Sequence, residues 1–71
     1  MRVSKVKAVE GLLVASSRLR VYAMDNPEEA EEVYKKFLDS IAHTGFPSTI
    51  ETFATILEIL ATEIGKGGEK K

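Results

Sequence analysis

The chain has no cysteine, no tryptophan, no glutamine and a single histidine, His43, in 71 residues. Without cysteine there is neither a disulfide nor a thiolate metal site, and one histidine builds no imidazole cluster. Small domains usually carry such a staple, because a chain this short buries only about 60% of the surface that its unfolded form exposes. What remains is stable helices or association with another chain. No uncharged apolar run approaches the roughly 18 residues that a membrane-spanning helix needs. Arg2, Lys5 and Lys7 ahead of Leu12-Leu13-Val14-Ala15 imitate a secretory leader, but Glu10 and Gly11 cut the apolar stretch below the usual minimum of about 7 residues. The expectation is a cytoplasmic protein with no membrane association. Depletion of Asn, Gln and Cys beside abundant Glu, Lys, Ile and Val is a thermophile-like composition.

The net charge of −1 hides a strong asymmetry. Residues 1–24 carry five bases and one acid, whereas residues 25–65 carry nine acids and two bases. Lys66 to Lys71 return the balance, and their Gly67-Gly68 pair predicts a flexible charged tail over 66–71.

Asp25-Asn26-Pro27 and Gly45-Phe46-Pro47-Ser48 divide residues 1–65, a single predicted domain, into three segments. In the second, Pro27 suits the first helical position behind an Asn26 or Asp25 cap, and Glu28, Glu29, Glu31 and Glu32 complement the helix dipole. Ala30, Val33, Tyr34, Phe37, Leu38 and Ile41 share one face, Glu31/Lys35 and Glu32/Lys36 have helix-stabilising spacing, and Gly45 is a left-handed terminator. This predicts a helix over about 27–44. The third segment opens with Ser48 and Glu51 at capping-box spacing and runs to Gly65. Its broad apolar arc of Ile50, Phe53, Ala54, Ile56, Leu57, Leu60, Ala61 and Ile64 can contact two neighbours, with Ile59 and Glu63 on the other side. A helix over 48–65 is expected, with Phe53 and Leu57 in the core.

The first segment is ambiguous. Arg18 to Met24 alternates like a strand and valines favour that reading, but Ala8, Val9, Leu12, Leu13, Ala15, Leu19, Tyr22, Ala23 and Met24 share one helical arc. A helix over about 4–24 completes a small all-α three-helix bundle; the alternative is an N-terminal β-hairpin followed by two helices. Gly11 costs such a helix about 1 kcal/mol relative to Ala. Close helix approach along Ala8, Gly11 and Ala15 would offset that cost.

Chemistry-bearing patterns are sparse. Glu28, Glu29, Glu31, Glu32 and Asp39 read as a solvated helix face, His43 as a surface cap near a helix end, and the serines lack a base and a glycine-framed elbow. No catalytic residue, cofactor site, metal site or small-molecule substrate emerges, so no enzyme is expected. A helix-turn-helix reading of the last two segments fails on charge, because Phe37 to Gly65 contain no Lys or Arg to meet phosphates. Val14, Val21 and Ile59 fall outside the main apolar faces and are the candidate interface residues. The resulting expectation is a non-catalytic protein–protein association module, a homo-oligomer or a small subunit of a larger assembly. The alternative is a nucleic-acid-associated accessory protein whose Arg2, Lys5, Lys7, Arg18 and Arg20 contact phosphates.

Overall fold

The computed structural model describes residues 2–67 and contains three helices: α1 over Lys5–Asp25, α2 over Pro27–Ile41 and α3 over Ile50–Gly67. The all-α architecture is therefore the observed one. The alternating stretch from Arg18 to Met24 lies inside α1 as helix. Ser4 caps α1, its hydroxyl accepting from the Lys7 amide at 3.2 Å.

The α1–α2 joint is a single residue. The Asn26 backbone amide donates to the Tyr22 carbonyl at 2.9 Å, and its side-chain Nδ2 donates to the same oxygen at 3.1 Å. Asn26 or Asp25 was expected to cap α2; Asn26 takes the cap position, but its side chain closes the end of α1 instead of bonding to α2. Pro27, at the first position of α2, has no amide proton there to satisfy.

Helix α2 ends at Ile41, three residues before its expected end. Thr44 explains the difference, since its amide and its hydroxyl both donate to the Ile41 carbonyl, at 3.1 and 2.7 Å, and turn the chain away. Gly45 then takes φ +74°, the left-handed conformation that only glycine adopts without cost. Helix α3 starts two residues later than expected. The Thr49 hydroxyl, not that of Ser48, accepts from the Thr52 amide at 3.0 Å. Both serine and threonine have a suitable residue three positions on, and the threonine makes the bond.

Helices α2 and α3 run antiparallel, with Ser40 beside Glu63 and Val33 beside Gly67. Val33, Phe37 and Ile56 form the buried apolar core between them, with Ala30, Ile41, Ile59 and Leu60 half-buried around it. Phe53, expected in that core, remains 47% exposed. Glu63 and Ile59 were expected on the polar side of α3. The structure turns them toward α2, because the α2-facing stripe runs Ile56, Leu60, Glu63, Gly67, along one edge of the broad arc and not through its centre. Packing against α2 also carries α3 past Gly65, where it was expected to stop. Of the expected tail, Lys66 and Gly67 are helical, and 68–71 lie outside the described residues.

Helix α1 meets α2 near their joint, and among the described residues its backbone makes no close approach to that of α3. The consequence is an open shape of 40 × 29 × 18 Å with a radius of gyration of 13.5 Å. A compact chain of this length has a radius of about 11 Å.

Candidate interaction surface

None of the residues of α1 is buried. Its apolar side chains point in several directions: exposed Val6, Val9 and Leu13 on one side, exposed Val14 and Val21 on another, and exposed Ala8, Leu12 and Ala15 with half-buried Leu19 and Tyr22 on a third. A helix whose apolar side chains are spread this widely calls for cover on more than one side. Water surrounds most of α1 instead, with Leu12 at 54% and Leu13 at 65% exposure.

Between α1 and α3 lies an open groove of about 380 Å³. Ala15, Arg18, Leu19 and Tyr22 form one wall, and Leu57, Leu60, Ala61 and Ile64 form the other. The second wall is the other edge of α3's arc, left over after Ile56 and Glu63 are taken up by α2. Tyr22 is held at the end of the groove by donating its hydroxyl to Glu29 Oε2 at 2.9 Å. Partial burial first, and then the hydrogen bond and charge of Glu29, raise the phenol's pKa above its ordinary value.

A shallower depression continues from Ala15 and Arg18 along α1, lined by Lys7, Glu10, Gly11 and Val14. A side chain added at Gly11 would meet nothing within 4 Å, so no contact inside the chain calls for glycine there.

Of the expected interface residues, Val14 and Val21 are 48% and 53% exposed on α1, whereas Ile59 is half-buried on α3. The structure does not bring the three together. The basic candidates are all exposed. Arg2 precedes α1, Lys7 and Arg18 share one side, and Lys5 and Arg20 lie roughly 160° around the helix from them. They form no single stripe. Apart from Arg18, the residues that line the groove belong to the apolar arcs that the sequence assigns to the bundle interior. The signal for the opposite reading was the spread of valine and leucine around α1.

The charged cleft between α2 and α3, about 300 Å³, holds Glu29, Glu32, Lys36, Glu63 and Lys66. Glu63 is 8% exposed, yet it accepts from the Ser40 hydroxyl at 3.3 Å and lies 3.7 Å from Lys66 Nζ. Among the described residues no group of three His, Cys, Asp or Glu side chains is placed to hold a metal ion, and no helix is long and apolar enough to cross a membrane. The chain matches no protein-family model, no curated protein and no solved structure.

Proposed function

We propose that the protein is a non-catalytic association module that works as a homo-oligomer, with α1 buried against further copies of the chain. The observation that carries this reading is that α1 spreads valines and leucines over several sides, between its charged residues, yet has no buried residue. The surface area supports it. The chain exposes 6127 Å², whereas a compact monomer of 7.8 kDa exposes about 4,400 Å². The excess of roughly 1,700 Å² exceeds the ~800 Å² that each partner contributes to a standard interface. Charge supports it as well, because a +4 segment and a −7 segment in one chain attract each other between copies. The nucleic-acid alternative is weaker, since four of the five basic candidates are divided between opposite sides of α1 and a phosphate track needs one side.

Sedimentation from about 1 µM to 1 mM tests the proposal. A concentration-dependent mass and a melting temperature that rises with concentration are expected, since anything that binds only the folded state stabilises it by mass action. Leu12→Asp should return the chain to monomer, because burying an unpaired carboxylate is costly. A monomer throughout that range, or sub-micromolar nucleic-acid binding at about 0.15 M salt lost on joint Arg18→Glu and Arg20→Glu substitution, would overturn it.

A further inference from the structure

We infer that two copies pair through antiparallel α1 helices, the N-terminal half of each α1 lying in the groove between α1 and α3 of the other. The inference rests on the homo-oligomer reading above and adds its geometry.

The first ground is shape. The groove takes up only the Ala15–Tyr22 part of α1. Lys5 to Val14, about 15 Å of helix, runs beyond it with Val6, Val9, Leu12 and Leu13 exposed. One helix therefore carries both an overhang and a wall of an empty groove. A two-fold axis near its middle places each overhang in the other copy's groove and closes the assembly at two chains.

The second ground is the spacing of the groove-facing stripe. Ala8, Leu12, Ala15, Leu19 and Tyr22 alternate steps of four and three, which is the seam of a heptad pattern. In a parallel pair in register, Ala8 meets Ala8, Leu12 meets Leu12 and Ala15 meets Ala15, so the layers differ in volume. In an antiparallel pair, Ala8 meets Leu19 and Leu12 meets Ala15, then the same pairs recur across the axis. Each layer has one small and one large side chain, which is what interdigitated packing requires. Gly11 then lies beside Arg18 of the other copy, where the absence of a side chain leaves room for the guanidinium stem.

The third ground is charge. Lys5 continues the same seam, so a parallel pair in register sets Lys5 against Lys5, whereas the antiparallel pair brings it near the Asp25 end of the other copy's α1.

The absence of native cysteine gives a clean test. Ala8→Cys and Leu19→Cys chains are made separately, checked for unchanged helicity by circular dichroism, mixed and oxidised. The mixed disulfide, joining position 8 of one chain to position 19 of the other, should account for most of the crosslinked product. Antiparallel pairing leaves two Ala8 positions about 16 Å apart along the axis, beyond the roughly 7 Å between Cα atoms that a disulfide spans. Predominant like-with-like disulfides would mean parallel pairing, and a stable dimer with no crosslink would place the interface elsewhere; either result overturns the inference while leaving the homo-oligomer reading standing. A sedimentation monomer at all concentrations removes both.

Discussion

Helix α1 and the α2–α3 pair draw on similar apolar side chains and differ in how those side chains are arranged about the helix axis. In α2, Ala30, Val33, Phe37 and Ile41 recur on one stripe, and α3 covers that stripe. In α1 the valines and leucines go all the way round, and one neighbour covers little of such a helix. Two short helices with matched faces thus close a small core, whereas a longer helix with its apolar residues spread over several sides remains mostly in water. Segregation of side chains, more than their number, decides what a chain of this length can bury for itself.

The sharpest break of that comparison uses one substitution on each side. Phe37 is 8% exposed in the α2–α3 core and Leu13 is 65% exposed on α1. Phe37→Ala should cost about 3–5 kcal/mol, enough to unfold so small a domain, through lost burial and the cavity left behind. Leu13→Ala, in dilute solution, should change stability by less than about 0.5 kcal/mol. Thermal melts followed by circular dichroism at low micromolar concentration check both. Equal losses would mean that α1 is packed as tightly as the other two helices, against the comparison.

How far this division was legible in the sequence differs by element. The face of α2 was readable because its charges and apolar residues segregate cleanly, and the glycine at 45 was readable because the turn after α2 needs positive φ. The three-helix bundle was readable, but the gap between α1 and α3 was not, since helical periodicity reports which residues share a face and not how closely a neighbour reaches it. The broad arc of α3 shows the limit. Its centre was taken as the core, but α2 and the groove divide the arc between them. Glu63 falls on the α2 side, and Leu57 and Ile64 fall on the groove side. For α1, the ambiguity between hairpin and helix and the absence of burial have one origin, a helical stripe interleaved with further valines and leucines on the other sides.

Glu63 sharpens the comparison at an intermediate magnitude, because it is a charged residue held where sequence reasoning placed solvent. Its methylenes pack beneath α2, and its carboxylate accepts from Ser40. Glu63→Ala should cost about 1–2 kcal/mol, the loss of a hydrogen bond to a charged group together with side-chain packing. Its ion pair with Lys66 adds little, since the lysine is 67% exposed. Glu63→Met, which keeps the volume and removes the charge, should recover most of the loss. Glu58→Ala, on the solvent side, should stay within about 0.5 kcal/mol. A Glu58 effect as large as that of Glu63 would mean that α3 is rotated in its seat on α2.

The smallest expected effect is a difference of sign between two glycines in the last turn of α3. A Cβ at Gly65 would meet nothing within 4 Å, so Gly65→Ala should gain up to about 1 kcal/mol from the better helix propensity of alanine. At Gly67 the same atom would lie 2.9 Å from Val33 Cγ2 and 3.2 Å from Glu29 Oε2. Val33 is one of the buried core residues, and its β-branched side chain has a single strongly preferred rotamer in a helix, so it cannot swing clear. The propensity gain is also small at the final residue of a helix, where few hydrogen bonds depend on it. Gly67→Ala should therefore lose about 1 kcal/mol as the helices are pushed apart, at the low end of overpacking costs. Urea midpoints at unchanged slope measure both variants on one scale. If both substitutions stabilise the protein, the last turn of α3 does not rest on α2, and the tight half of the molecule ends at Glu63 instead of at Gly67.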